Sequence, residues 1–258
     1  MLVDSHCHIN FPDLASNMDA VLQSMATNNV THALCVSVNL REFPQVLALA
    51  EAHDNIYASV GVHPDYEDED PVSVEQLVHL AAHPRVIAIG ETGLDYFRLT
   101  GDLEWQRERF RIHIRAAILA DKPLIIHTRE AAQDTIRIMQ EEGAKQIGGV
   151  MHCFTESLEV AEQAIALGFY ISFSGIVTFK NATNLKQVAQ HIPLECMLVE
   201  TDSPYLAPVP FRGKTNQPAY VKYVAEEIAR LRGITLDGVA QATTHNFFQL
   251  FKQAQPCN

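Results

Sequence analysis

The chain opens Leu2-Val3-Asp4-Ser5-His6-Cys7-His8, a short apolar run that stops on two histidines spaced two apart. Side chains of an extended strand alternate between faces, so Asp4, His6 and His8 share one face and Cys7 points away. Two imidazoles then converge on one point, as a divalent metal requires. The competing reading is a pair of histidines satisfied by hydrogen bonds in a loop. The rest of the sequence bears on the choice, because later apolar runs stop in the same way, on His63, Glu91, His127, His152 and Asp202.

Between those runs the hydrophobic period changes from two to three-and-four. Residues 17–28 carry Met18, Val21, Leu22 and Met25 at helical spacing, with Asn17 as N-cap. Strands are expected at 2–7, 32–38, 56–61, 86–91, 123–127, 149–152, 169–172 and 197–202. Helices at 17–28, 41–53, 74–82, 104–120, 131–142, 158–167, 185–191 and 220–232 follow them in turn, and 236–251 reads as one or two packing helices. Strands separated by helices of this length pair in parallel. Eight such units favour a closed (β/α)8 TIM barrel over an open doubly wound sheet. No Gly-x-Gly-x-x-Gly turn follows the first strand, and 258 residues are the usual length of one such α/β barrel, a single domain over 1–258.

Composition narrows the function classes. Apolar residues make up 47% and charged residues 19%, which is ordinary for a globular protein and excludes disorder or low complexity. The chain reaches Asp4 and His6 too early for a secretory leader, and no run approaches the roughly 18 apolar residues of a membrane span. Cys7, Cys35, Cys153, Cys196 and Cys257 are scattered, odd in number and without C-x-x-C spacing, as expected of reduced thiols. A cytoplasmic protein with no membrane association and no obligate protein partner is therefore expected. The formal charge of −12 disfavours sequence-independent wrapping of duplex nucleic acid, although it leaves room for a local basic mouth. Five of the six residues in 65–70 are acidic and read as a solvated loop.

In a (β/α)8 barrel every strand C-terminus lies on one face, so residues from His6 to Asp202 become neighbours around a single mouth. Four histidines, Glu91 and Asp202 exceed the three protein ligands of a typical catalytic zinc and suit two metals sharing a carboxylate. Glu91 is the natural bridge, with His6, His8 and Asp202 around one ion and His127 and His152 around the other. Zn, Mn, Co or, less well, Mg fits such a donor set. With both shells filled, His63 is expected to contact substrate, the alternative being an orienting or weak ligand. Glu200, two residues before Asp202, is expected to orient a ligand histidine or a metal-bound water. Asp202 itself can take the proton of the attacking water. His32, His53, His79, His83, His113, His191 and His245 are read as structural or solvated.

Taken together, Asp-Ser-His-Cys-His (4–8), Gly-Val-His-Pro (61–64), Gly-Glu-Thr-Gly-Leu-Asp-Tyr (90–96), His-Thr-Arg (127–129), His-Cys-Phe (152–154), Ser-Gly (174–175) and Glu-Thr-Asp-Ser-Pro-Tyr (200–205) resemble the motif set of the TatD-type metal-dependent hydrolases, within the amidohydrolase superfamily. The resemblance runs nearly end to end and includes Thr244-x-Asn246. It implies a barrel, a divalent metal pair and phosphodiesterase activity on DNA, with His6, His8, Glu91, His127, His152 and Asp202 as the ligands. Lys122, at the start of its strand, does not stand where many amidohydrolases place a bridging modified lysine.

Arg98, Arg129, Lys180, Arg212 and Lys214 all follow strand ends and would ring the mouth with positive charge, Arg129 as a substrate contact. Tyr96, Phe97, Phe154, Tyr205 and Phe211 could stack on bases or simply close the barrel top by packing. The leading expectation is a deoxyribonuclease acting on single-stranded or frayed DNA ends. The alternatives are a small-molecule amidohydrolase, esterase or lactonase with the same two-metal site, and a metal-stabilised binding protein without turnover.

Overall fold

A computed structural model describes residues 1–67, 71–97, 99 and 101–256. Eight strands, β1 (Leu2–Cys7), β2 (Val30–Cys35), β3 (Ile56–Val60), β4 (Val86–Asp95), β5 (Leu124–Arg129), β6 (Gly149–Met151), β7 (Phe169–Phe173) and β8 (Met197–Val199), form one sheet in chain order. Every neighbouring pair is parallel. The ring closes beyond β8, where Ser203 bridges to Cys7 and the Asp202 N–H donates to the His6 carbonyl at 2.9 Å. Helices α1 (Pro12–Ala15), α2 (Met18–Thr27), α3 (Phe43–Ala52), α4 (Val74–Ala81), α5 (Glu104–Ala120), α6 (Ala132–Glu141), α7 (Leu158–Ala166) and α8 (Thr183–His191) connect the strands, and α9 (Val221–Arg232) and α10 (Leu236–Leu250) follow β8. The expected TIM barrel is what the chain forms. Among the described residues no helix is long and apolar enough to cross a membrane.

Strand alternation divides the core into two layers. Leu2, Ala33, Cys35, Ile56, Leu124 and Ile126 point outward and pack against the helices. Val3, Leu34, Tyr57, Ile87, Ile125, Val150 and Leu198 cluster separately with Phe247 and Phe251, so α10 and the segment after it pack against this second layer. At the strand starts the Lys122 Nζ donates to the Val86 carbonyl and to Gln253, at the opposite end of the barrel from the strand C-termini. His113 belongs to the scaffold: its Nδ1–H donates to the Arg109 carbonyl at 2.8 Å, and its Nε2 accepts the Val62 N–H at 3.0 Å. Burial pushes this imidazole down to about 4.

Element ends shift by a few residues from expectation, as in β2 (Val30–Cys35, against 32–38) and β5 (Leu124–Arg129, against 123–127), and two further strand ends and one helix cap also differ. Strand β8 ends at Val199: the Glu200 N–H still donates to the Phe173 carbonyl of β7, but Asp202 takes a left-handed backbone (φ 56°) and its N–H donates to the His6 carbonyl of β1. Strand β4 continues past Glu91 to Asp95, through an irregularity in its pairing between Ile89 and Thr92. Glycine makes that possible. Gly90 (φ 146°) and Gly93 (φ 129°) lie so close to β5 that a Cβ would fall 2.6 Å from the Ile125 carbonyl oxygen and 2.0 Å from that of His127. Asn17 sits at the α2 N-cap but makes no capping hydrogen bond with its side chain, unlike Ser73, Ser157 and Thr235 on α4, α7 and α10.

Candidate metal centre

The strand ends bring the predicted residues into one cluster at the floor of a cavity of about 890 Å³. His6 and His8 do share a face of β1, with Nε2 atoms 3.2 Å apart. Glu91 Oε2 lies 3.3 Å from His6 Nε2 and 3.9 Å from His8 Nε2, while Asp202 Oδ1 is 3.7 and 3.4 Å from the same two atoms. The other oxygen of Glu91, Oε1, faces His152 Nε2 at 2.7 Å, His127 Nδ1 at 3.3 Å and His63 Nε2 at 3.3 Å. The His6 and His152 rings stack 3.9 Å apart, so His152 stands between the two halves of the cluster. His6, His8, Glu91 and His152 are buried, and the Asp202 side chain, 15% exposed, is the carboxylate of the cluster most open to the cavity.

Hydrogen bonds behind the imidazoles fix which nitrogen is free. His8 Nδ1 lies 3.0 Å from the Val36 carbonyl, which can only accept, so Nδ1 carries the proton and Nε2 keeps its lone pair. His127 Nε2 meets Asp95 Oδ2 at 2.9 Å, and His152 Nδ1 meets Glu200 Oε1 at 3.3 Å. In their neutral forms both rings then present a lone pair to Glu91 Oε1. Lone pairs facing a carboxylate oxygen repel unless a cation or a proton lies between them, and His152 Nε2 makes no hydrogen bond among the described residues. Four imidazoles and two carboxylates with no thiolate among them form a donor set for a borderline or hard divalent ion. The residues therefore fit a metal.

His63 differs from the others although its distance to Glu91 is the same. Its Nδ1 accepts the Asp65 N–H at 3.1 Å, so the neutral ring carries its proton on Nε2 and offers Glu91 a donor rather than a lone pair. Glu200 is wholly buried and accepts the Cys153 N–H at 2.7 Å as well as facing His152, which places it behind a ligand histidine. Asp95 was not singled out from the sequence. It is buried, accepts the Phe97 N–H at 2.9 Å through Oδ1, and holds His127 through Oδ2. Its signal was present: Asp95 lies four residues beyond Glu91 in the same motif, and a strand extended through it would have put the two carboxylates on one face.

The protonation equilibria follow this geometry. Burial opposes charge on Glu91, yet the facing His152 and His63, with His127, hold its carboxyl well below the usual range. Asp202 is likewise held low against burial, by His8 and then His6 and His152. Burial is also the largest influence on His152, His127 and His8, but the carboxylates beside them outweigh it and raise all three. His6 goes the other way, lowered by burial and by the neighbouring His152.

Around the rim the expected cations and aromatics sort into different environments. Arg129 lines the cavity with its guanidinium 3.7 Å from the centre of the Phe97 ring. Tyr205 also lines it and is exposed. Phe154 is buried in the core and Tyr96 is tied through its hydroxyl to Asp134, so neither is free to stack on a base. Phe211 stacks on Tyr220, with Lys214 near its ring. Arg98 and the acidic residues 68–70 lie outside the described residues.

A TIM barrel with this donor set gathered over its strand ends is that of a metal-dependent hydrolase. The chain matches the family described as TatD related DNase over residues 3–252, and it belongs to that family. It is 48% identical over 253 residues to the uncharacterised metal-dependent hydrolase YcfH of Escherichia coli K12, covering 97% of this chain and 95% of that protein. With YabD of Bacillus subtilis, also described as an uncharacterised metal-dependent hydrolase, it shares 42% identity over 98% of this chain and 99% of that one. The crystal structure of YjjV, a TatD homologue from Escherichia coli K12, superposes with a TM-score of 0.90 at 32% identity, covering 97% and 98% of the two chains.

Proposed function

We propose that the protein is a two-metal phosphodiesterase acting on DNA, entering at single-stranded or frayed ends. The observation that carries this reading is Glu91, whose two oxygens each face a separate set of imidazoles. A carboxylate so placed could serve two cations, and His6, His8 and Asp202 would hold one while His127 and His152 would hold the other. The family description as DNase and the Arg129 guanidinium at the cavity favour a phosphate ester over a neutral amide.

When bound, a pair of divalent ions supplies Lewis acidity and an attacking water of lowered pKa. The chain's own residues do the rest. Glu200 and Asp95 hold the rings of His152 and His127, fixing the tautomers that leave the inner nitrogens free. Asp202, the most accessible carboxylate, accepts the proton lost by the water as the new P–O bond forms and returns it to the leaving oxygen as the old bond breaks. His63 lines the same cavity and serves as a contact for the substrate phosphate through the Nε2–H that faces Glu91 when no substrate is bound, and Arg129 holds a neighbouring phosphate at the rim. The site sits at the floor of a cavity on a chain of charge −12, which disfavours an intact duplex held by many phosphate contacts.

The test is a turnover screen of the metal-supplemented protein on one end-labelled oligonucleotide, alone and annealed, beside small amides and lactones. Single strands should be cut faster than blunt duplex, with products released progressively from an end. Equal rates on covalently closed circular duplex would rule out end entry. Turnover of an amide or lactone with neither DNA form cleaved would replace this reading with a small-molecule hydrolase.

A further inference from the structure

Beside the main cavity lies a second one of about 440 Å³, lined by Ile176, Phe179, Lys180, Asn181, Ala182 and Arg212. Ile176 lines both cavities, so they adjoin across its side chain. Two cations from different loops share this small space. Among the described residues neither Lys180 nor Arg212 forms an ion pair, in a molecule with 31 acidic side chains. Other arginines are committed: Arg107, Arg111, Arg115, Arg137 and Arg230 pair with Asp or Glu carboxylates.

The Arg212 guanidinium is instead held over the Phe179 ring, 4.0 Å from its centre. That stacking fixes a planar donor fork while leaving its edge free. The two loops are locked together. Thr178 Oγ1 accepts the Val209 N–H at 2.9 Å, and Gly175 lies so close to the other loop that a Cβ would fall 2.0 Å from the Leu206 carbonyl oxygen. Lys180 and Arg212 are thus brought together by the fold and not by an ionic partner.

We infer that this second cavity is a subsite for a phosphodiester of the same strand, flanking the one cleaved in the main cavity. The inference rests on the phosphodiesterase reading above. A strand leaving the main cavity past Ile176 meets Arg212 and Lys180 next, a fork and a point charge suited to a phosphate's non-bridging oxygens. A small diester occupies the main cavity and never reaches them. The subsite therefore selects for length.

The experiment compares wild type with Lys180→Ala/Arg212→Ala on a small aryl phosphodiester and on DNA oligomers of two to eight nucleotides, in the metal-loaded enzyme. A second arm measures binding of a fluorescent phosphorothioate octamer across a salt series. In wild type, kcat/KM should step up once the oligomer is long enough to bridge both cavities. The double variant should lose about tenfold of the octamer's advantage over the small diester, through KM, and its salt slope should become shallower by about 0.7 for each phosphate no longer neutralised. An unchanged length dependence and salt slope in the variant would overturn the subsite. So would an equal loss on the small diester, which would make both residues structural. If wild type cleaves no DNA yet binds the octamer and the variant binds it more weakly, the nuclease reading fails while the subsite stands. If neither protein binds it, both fail.

Discussion

Replacing Asp95 with Asn tests the idea that the outer hydrogen bonds set the metal centre. Asp95 is buried and uses both oxygens, accepting from His127 Nε2 at 2.9 Å and from the Phe97 N–H at 2.9 Å. Asn can supply one acceptor, so its NH₂ group must face one of those two donors. The hydrogen bond removed is charge-assisted and buried, worth about 1.5–3 kcal/mol. At about 1.4 kcal/mol per tenfold, affinity at the His127 half of the site should fall roughly 10- to 100-fold, in line with the usual cost of removing such a partner. The fold should survive, because the Asp95 N–H still donates to Gln106 Oε1 and its carbonyl still accepts from Gln106 Nε2. The assay is a metal titration against a competing chelator, which should become biphasic, with the His6/His8 half unaffected. Unchanged affinity at both halves, or equal weakening of both, would refute the reasoning.

Three further outcomes follow. Chelation and dialysis should abolish turnover and leave helical circular dichroism largely intact, since the barrel core carries the fold; full activity in demonstrably metal-free protein would sink the mechanism. His63→Ala should raise KM while both metal sites still fill, because the His63 proton lies on Nε2; loss of an ion in that variant would make it a ligand instead. His113 has a folded-state pKa of about 4, below its unfolded value of roughly 6.5. Its contribution to stability is complete above pH 6.5 and is lost as pH falls toward 4, about 3 kcal/mol in all at 1.36 kcal/mol per unit. Urea titrations should therefore show His113→Gln losing less stability than wild type between pH 7 and 4.5, and parallel curves would contradict this.

The barrel was legible because strand and helix periods differ, and each apolar run is short and separated from the next by a helical stretch. The ligand candidates were legible because those runs end on His, Glu or Asp, and a barrel collects its strand ends at one face. What escaped was anything set by close backbone approach or hydrogen-bond direction. The extension of β4 to Asp95 depends on Gly90 and Gly93 lying against β5, and a glycine in a sequence reads equally well as a turn. The Asp202 turn depends on hydrogen bonds to a strand some two hundred residues earlier in the chain. The difference between His63 and the other histidines is a backbone N–H at Nδ1, which leaves no mark on composition or spacing. Phe154 could not be told from a rim aromatic, because a residue two positions past a strand end can turn inward or out.

The central claim is that Glu91 joins two ions through its two oxygens. Anomalous diffraction from crystals grown with manganese, for wild type and Glu91→Gln, tests it most directly. Wild type should show two peaks, one between Glu91 Oε2 and the His6, His8 and Asp202 set, and one between Oε1 and the His127 and His152 set. The variant should lose at least one of them. A single wild-type peak, or two full peaks in Glu91→Gln, would contradict the account.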